Sequence, residues 1–147
     1  LRSYKTGSWI LTPHPGELGR LLGKGTEEVL ADLPEAARQL AAAYGCIAVC
    51  KDAATVCALP DGQIWVNTAG NDGMATAGSG DVLAGTAAGL LALGMEPERA
   101  APAAVLLHGK AGDLLAKESG RAALMAGELP DQIGRVLKRM EKGRRKR

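Results

Sequence analysis

Two short apolar runs enclose a segment with helical periodicity, and this order restricts the chain to a small set of folds. The first run, Ser8–Thr12, is stopped by prolines, and the second, Cys46–Cys50, is wholly apolar. Between them apolar residues keep helical spacing as far as Tyr44, with Thr26 as the expected N-cap and Gly45 as the stop. A strand, a helix and a strand form a βαβ unit, so we expect a parallel pair with a right-handed crossover.

The rest of the chain adds a hairpin and more helices to this unit. Thr55–Leu59 and Gln63–Asn67 flank a Pro-Asp-Gly turn and predict two antiparallel strands. Helical patterns follow in three segments, from Asp81 to Gly94, from Pro97 to Gly120 and from about Glu128 to Met140. A brief helix that ends at Gly23 is expected before Thr26. We therefore predict an α/β fold with a mixed, mainly parallel sheet flanked by helices.

Composition and charge exclude several classes of protein. With 147 residues the chain suits one domain, and without Phe its core must rely on Leu, Val, Ile and Ala. The net charge is +2, but five positive charges lie in the tail Lys142–Arg147, so the body carries −3. A mildly acidic body argues against a nucleic-acid surface, and the basic tail is predicted to be a disordered end.

The cysteines and the hydropathy pattern favour a cytoplasmic protein. Cys46, Cys50 and Cys57 are odd in number and no histidine lies near them in sequence, so neither a disulfide framework nor a zinc site is expected. No signal peptide and no membrane span is visible, so we expect no membrane partner.

Glycine is concentrated in Asn67–Gly85, directly before a predicted helix. Gly78, Ser79, Gly80 and Asp81 lie at the boundary between loop and helix. A helix N-terminus presents unpaired N–H groups, and glycines before it let these amides approach an anion. The pattern is not a Walker A loop, because no Gly-Lys-Ser/Thr follows. The Asp81 carboxylate is either a helix cap or a base that takes a proton from a hydroxyl attacking phosphorus.

Four segments follow one another in an order typical of one enzyme family. They are ILTPHPGELGRLLG (10–23), VCKDAATVCALPDGQIWVNTAGN (49–71), NTAGNDGMATAGSGDVLAGTAAGLLALG (67–94) and AAPAAVLLHGKAGDLLA (100–116). Over nearly its whole length the chain resembles the ADP/ATP-dependent NAD(P)H-hydrate dehydratases, which are carbohydrate-kinase-related members of the ribokinase-like superfamily. The resemblance implies a ribokinase-like layered fold.

The resemblance also implies a reaction. Members of this family repair NADH and NADPH whose nicotinamide ring has been hydrated at C6. The nucleotide, ADP or ATP, is expected to phosphorylate the C6 hydroxyl, after which phosphate elimination restores the ring. Mg²⁺ is implied by the nucleotide chemistry, although no ligand set is visible and no protein metal site is expected.

Individual residues receive roles from the same resemblance. Asp81 matches the catalytic base that contacts the hydrate, and His14 and Asn71 are assigned to the hydrated dinucleotide. The nucleotide is assigned to Lys51, Asp52, Ala53, Ala54 and Thr55 in one segment and to Gly78, Ser79 and Gly80 in the other. Asp52 departs from the usual Gly, so its carboxylate either points away from the nucleotide or weakens its binding.

Other residues near these motifs are given structural interpretations. His108 is expected to be a packing residue of its helix with a local hydrogen bond. Gly85 and Gly89 are expected to permit close helix packing. Glu17 either caps the short helix or holds the loop that carries His14.

Two further functions remain compatible with the motifs. One is a ribokinase-like kinase acting on a sugar or vitamin alcohol, and the other is an inactive nucleotide-binding fragment. Members of the family are longer, so residues 1–141 are interpreted as the C-terminal portion of the domain and 142–147 as its tail. We expect a missing N-terminal segment or another subunit to cover an open sheet edge, and we expect a homo-oligomer.

Overall fold

A computed structural model describes residues 9–144, which form four strands and six α-helices. The strands are β1 (Ile10–Leu11), β2 (Ile47–Cys50), β3 (Thr55–Ala58) and β4 (Ile64–Asn67). The helices are α1 (Pro15–Leu22), α2 (Thr26–Ala31), α3 (Leu33–Tyr44), α4 (Ser79–Ala92), α5 (Pro97–Ser119) and α6 (Leu129–Arg144). Short 3₁₀ turns lie at Asp72–Met74, Arg121–Ala123 and Ala126–Glu128.

The strands form one sheet in the order β1-β2-β3-β4. β1 runs parallel to β2, with Ile10 opposite Ile47, which confirms the predicted βαβ unit. β3 pairs antiparallel with both β2 and β4, and the pair of β3 with β4 confirms the predicted hairpin. The sheet is mixed, as predicted, but within residues 9–144 it is not mainly parallel, because two of its three pairings, β2 with β3 and β3 with β4, are antiparallel.

Helices cover both faces of this sheet. On β2, Ile47 and Val49 belong to the core shared with α4, α5 and α6, whereas Ala48 and Cys50 belong to the core shared with α1, α2 and α3. Every residue of β2 is buried, as is typical of a strand covered on both faces. The buried hydrophobic residues are Leu, Val, Ile, Cys and Ala, which confirms the prediction of a core built from aliphatic side chains.

The segment before β2 is two helices, and the prediction of one helix was wrong. α2 ends at Ala31 and α3 begins at Leu33. Pro34 explains the break, because in a continuous helix its ring would clash with the carbonyl group four residues earlier. Asp32 becomes the N-cap of α3, and its side chain accepts a hydrogen bond of 3.0 Å from the Glu35 N–H.

Glycines end two of the three helices on this side of the sheet, as predicted. Gly23 follows α1 and Gly45 follows α3, with left-handed φ angles of 69° and 60°. The predicted N-cap is one residue out of place, since Thr26 is the first residue of α2 and Gly25 is its N-cap.

The C-terminal helix reaches into the basic tail. α6 continues to Arg144, so residues 142–144 of the predicted disordered tail are helical. Residues 145–147 and Ser8, the start of the first predicted strand, lie outside the described residues. No helix between residues 9 and 144 is both long and apolar enough to cross a membrane.

The sheet has β1 at one edge and β4 at the other. Among the described residues, β2 is the one strand that pairs with β1. The expectation that a further segment or subunit covers this edge stays a prediction, and so does the homo-oligomer.

Candidate active site

A cavity of about 560 Å³ lies where β1 and β2 end. Because these strands are parallel, their carboxyl ends meet at one edge of the sheet, which is where ligands of open α/β sheets bind. Pro13 follows β1 and Lys51 follows β2, and the first turn of α4 contributes Gly80 and Asp81 to the same cavity. The fold therefore joins two segments that the motifs assigned to the nucleotide.

Side chains of both charges line this cavity. Asp81 on α4 and Glu17 on α1 are acidic, and Lys51 and Arg20 are basic. Asp81 is exposed, so its carboxylate has space beside it and is not packed into the core. This placement is what a proton acceptor for a bound hydroxyl requires.

The first turn of α4 offers one free amide toward the cavity. Gly78 is the N-cap with a left-handed φ of 87°. The N–H groups of Ser79 and Asp81 donate to carbonyl oxygens of Thr76 and Gly78, at 3.2 and 3.1 Å. Of the amides of residues 79–81, that of Gly80 is the one without an acceptor in the described chain. Of the three residues of the predicted cradle, Ser79 has an engaged N–H, whereas the N–H groups of Gly78 and Gly80 have no acceptor in the described chain, and of these two Gly80 lines the cavity.

Lys51 approaches the same turn from the end of β2. Its N–H donates to the Pro13 carbonyl oxygen at 2.9 Å, which ties the two strand ends together. Its Nζ lies 3.1 Å from where a Cβ atom on Gly80 would be. The absence of a side chain at Gly80 leaves this space to the ammonium group, whose charge adds to the positive helix terminus.

The residues after Lys51 contribute less to the cavity. Asp52 and Ala53 are exposed, Ala54 and Thr55 are half-buried, and none of the four lines the cavity. Both expectations for the Asp52 carboxylate therefore stay predictions.

His14 is the N-cap of α1. Its Nδ1 accepts hydrogen bonds from the N–H groups of Gly16 and Glu17, at 3.1 and 3.3 Å. Glu17 returns the contact, since its Oε2 accepts the His14 N–H at 2.8 Å. Glu17 thus caps the helix and holds the His14 loop at once. His14 is exposed and does not line the cavity, although its neighbours Pro13 and Glu17 do.

The electrostatic state of Glu17 follows from this cap. The hydrogen bond from the His14 backbone lowers the pKa of the Glu17 carboxyl, and the nearby charges of His14, Lys51 and Arg20 act in the same direction. Desolvation opposes them only in part. Glu17 is therefore an anion at neutral pH and places a fixed negative charge on the cavity wall.

Asn71 lies in the loop before α4 and uses its amide within the protein. Its Oδ1 accepts from the Gly73 N–H at 3.1 Å, and its Nδ2 donates to Asp113 on α5 at 3.2 Å. Asp113 also accepts from the Gly70 N–H at 3.0 Å. Asn71 does not line the cavity, so the structure does not bring it to the other predicted site residues.

His108 on α5 contacts the first turn of α4, not its own helix. Its Nε2 lies 3.0 Å from the carbonyl oxygen of Ser79 and 3.2 Å from its Oγ. The expected local hydrogen bond was therefore wrong, because the partner is 29 residues away. Ser79 is 6% exposed, so its hydroxyl faces the protein interior while the adjacent Gly80 faces the cavity.

The sequence did not assign Arg20, His108 or Asp113 to the site. Arg20 follows Glu17 by three residues on α1, a spacing that puts both side chains on one face of the helix. His108 and Asp113 flank two glycines on α5. Polar residues beside glycines of a helix were a signal that could have indicated hydrogen bonds to a segment packed on that helix.

Comparison with known proteins identifies the family of this chain. Residues 2–135 match the family model described as NAD(P)H-hydrate dehydratase. The chain belongs to the NAD(P)H-hydrate dehydratase family. It is 47% identical over 135 residues to the bifunctional NAD(P)H-hydrate repair enzyme Nnr of Moorella thermoacetica. It is 40% identical over 137 residues to the ADP-dependent (S)-NAD(P)H-hydrate dehydratase of Bacillus subtilis.

Solved structures of this family have the same fold. The ADP/ATP-dependent NAD(P)H-hydrate dehydratase from Bacillus subtilis, co-crystallised with ATP and Mg²⁺, superposes with a TM-score of 0.85 at 41% identity. A ribokinase-like superfamily protein from Enterococcus faecalis gives 0.75 at 33% identity. These similarities cover 88% of the chain in both cases and confirm the predicted ribokinase-like α/β fold.

The chain spans about half the length of the single-function relatives. The alignment with the Moorella enzyme covers 92% of this chain and 26% of that enzyme. The alignment with the Bacillus enzyme covers 93% of this chain and 50% of that enzyme. Of the two solved structures it covers 47% and 44%. The relatives' names describe those longer proteins.

Proposed function

We propose that this cavity is a site for nucleotide-dependent dehydration of NADH or NADPH hydrated at C6. The position of Asp81 carries the proposal, because an exposed carboxylate lies next to the free Gly80 amide on a cavity shared with Lys51. A proton acceptor and two positive groups thus face one space. This is what transfer of a phosphoryl group to a hydroxyl needs.

The reaction divides into two steps at this site. In the first, Asp81 takes the hydroxyl proton while the hydroxyl oxygen attacks the terminal phosphorus, and the bond from that phosphorus to the nucleotide's bridging oxygen breaks. In the second, the C–O bond breaks and phosphate leaves with the bonding electrons, as the ring-nitrogen lone pair forms a C=N bond. Loss of a proton from the neighbouring ring carbon restores the reduced nicotinamide.

Lys51 and the Gly80 amide are proposed to hold the transferring phosphate. Their charges stabilise the negative oxygens in the transition state. Gly78 and Ser79 shape this turn, and Asp52, Ala53, Ala54 and Thr55 complete the nucleotide segment. His14 is proposed to contact the dinucleotide beside Pro13, whereas Asn71 supports it through the shape of its loop.

Mg²⁺ would enter with the nucleotide. Among residues 9–144 no group of three or more His, Cys, Asp or Glu side chains is placed to hold a metal ion. Asp81 and Glu17 are the carboxylates on the cavity wall. Mg²⁺ is usually bound by one or two carboxylates together with substrate phosphates. These two carboxylates therefore fit an ion that the nucleotide phosphates would bind as well.

An assay with chemically hydrated NADH tests the function directly. With ADP or ATP and Mg²⁺, we expect the near-ultraviolet absorbance of the reduced nicotinamide to return together with free phosphate. Asp81→Asn should lower kcat by about 100-fold or more, since a positioned base contributes about 100-fold to 10,000-fold. Its ADP affinity should stay near that of the wild type, and Asp131→Asn on α6 is the matched control.

Two outcomes contradict the proposal and identify the alternatives. A stable phosphorylated alcohol, formed from a sugar or vitamin without phosphate release, indicates a kinase. Nucleotide binding without turnover of hydrated NADH or NADPH indicates a non-catalytic nucleotide-binding chain.

A further inference from the structure

The first turn of α4 lacks the side-chain cap that usually fixes a helix start. Gly78 occupies the N-cap position and has no side chain to accept the free amides. The free amide belongs to a second glycine, Gly80, whose backbone can adopt many φ and ψ values. Some other group must therefore hold this turn in the conformation that directs Gly80 and Asp81 to the cavity.

We infer that His108 is a positioning residue that holds this turn through a hydrogen bond from its Nε2–H to the Ser79 carbonyl oxygen. The distance between Nε2 and that oxygen is 3.0 Å. A carbonyl oxygen only accepts, so Nε2 carries the hydrogen in this contact. The inference rests on the proposed function for its catalytic meaning, because Gly80 and Asp81 are the site residues that follow Ser79.

The burial of Ser79 makes this contact strong. Ser79 is 6% exposed, and its Oγ lies 3.2 Å from the same His108 nitrogen. The Ser79 carbonyl oxygen also accepts a hydrogen bond within α4, but water has little access to replace the imidazole as its second donor, so loss of the contact weakens the hold on this peptide group. The contact therefore restrains the peptide group directly before the Gly80–Asp81 pair.

The same face of α5 also holds the start of the loop that joins β4 to α4. Asp113 accepts hydrogen bonds from the Gly70 N–H and from Asn71, at 3.0 and 3.2 Å. Between His108 and Asp113, a Cβ atom on Gly109 would lie 2.5 Å from the Ala69 carbonyl oxygen. The loop thus packs directly on the α5 backbone, and α5 sets the position of both of its ends.

Two substitutions that differ by one methylene test the role of His108. In His108→Gln the side-chain amide reaches as far as Nε2 and still donates, whereas in His108→Asn it falls short. Lys110→Gln, at an exposed position of the same helix, is the control. The readouts are amide hydrogen exchange in the ¹⁵N-labelled chain and the affinity for ADP measured by titration calorimetry.

In His108→Asn we expect exchange of the Asp81 and Val82 amides to accelerate about fivefold or more, with α6 unchanged. ADP affinity should fall by a similar factor, while His108→Gln and Lys110→Gln stay within about twofold of the wild type. The inference is overturned if Asn and Gln behave alike, or if exchange rises equally across α4, α5 and α6. A wild-type chain that does not bind ADP contradicts the proposed function alone, because the exchange rates still decide the role of His108.

Discussion

At the scale of single residues, the start of α4 depends on backbone conformations that side chains disfavour. Gly78 has a φ of 87°, in the left-handed region, and its neighbour Ser79 then begins a regular helix. Gly80 has ordinary helical geometry but must leave space for the Lys51 ammonium. The two glycines therefore serve different purposes, conformation at one and close approach at the other.

Gly78→Ala is expected to destabilise the protein by about 1–2 kcal/mol, because an L-residue with a Cβ is strained at this φ. The added Cβ would also lie 3.3 Å from the Ala126 side chain. Gly85→Ala is the matched control on the same helix, where nothing lies within 4 Å, and we expect it to stabilise by about 0.5–1 kcal/mol. Urea unfolding of both variants measures the difference, and equal effects would refute the conformational argument.

Stability should depend on pH through His108. Burial lowers the pKa of His108, and the positive charge of Lys51 also lowers it. The hydrogen bond to the Ser79 backbone raises this pKa but does not outweigh the other two effects. The unfolded chain therefore binds a proton at higher pH than the folded chain does. The free energy of unfolding rises with pH between the lowered pKa and the ordinary histidine pKa of 6.5, and this contribution is lost as pH falls through that window.

An NMR titration of the His108 ring is expected to give a pKa below 6.5. Urea unfolding at several pH values should show a smaller slope in His108→Gln, which cannot titrate there, than in the wild type. A slope unchanged by the substitution would show that another group titrates.

At the scale of elements, α5 is the support on which the site loop is built. In the site loop and on α5, close approaches are at Gly73, Gly109 and Gly112, where an added Cβ would contact neighbouring atoms below normal van der Waals distance. Among residues 9–144, an added Cβ on Gly85 or Gly89 of α4 would meet no atom within 4 Å apart from the backbone of its own helix, so the expectation that they permit close helix packing was wrong. On α5 the loop packs against these glycines, through the Ala69 backbone at Gly109 and through the Met74 side chain at Gly112.

Gly109→Ala is expected to destabilise the protein by about 1–3 kcal/mol, the usual cost of overpacking a buried position. The Ala69 carbonyl oxygen is backbone and cannot move aside as a flexible side chain does. Gly134→Ala on α6, with nothing within 4 Å, is the control and should be neutral or stabilising by up to about 1 kcal/mol. Thermal unfolding compares the two, and a neutral Gly109→Ala would contradict the observed packing.

At the scale of the whole molecule, helices on both sides of the sheet bury the three thiols. Cys57 belongs to the core under α4, α5 and α6, and Cys46 and Cys50 to the core under α1, α2 and α3. Burial raises the pKa of Cys46 to about 11 and those of Cys50 and Cys57 to about 12. The thiols are therefore protonated and shielded at physiological pH.

A thiol reagent should accordingly leave the native chain unmodified and label all three cysteines after denaturation. Mass spectrometry of labelled peptides identifies the site in either case. Rapid native labelling of Cys57 alone would show that the α4–α6 layer opens, and labelling of Cys46 or Cys50 would show the same for the other layer.

The sequence by itself determined the elements and their order in this protein. Short apolar runs, helical apolar spacing, the Pro-Asp-Gly turn and the glycines at positions 23 and 45 act within a few residues, so their effects are readable locally. The position of Asp81 in the first turn of a helix followed from the same local signals, whereas membership of the family was indicated by the resemblance of the four motif segments. Pro34 was also a local signal, and the break that it causes was overlooked.

The tertiary structure alone decided which site groups are free and which are engaged. Ser79 is held by His108 and Asn71 by Asp113, residues 29 and 42 positions away, and no local pattern specifies such pairs. The same holds for Arg20, which reaches the cavity only because α1 packs beside the end of β1. Contacts between distant segments depend on how layers pack, and packing is a property of the assembled fold.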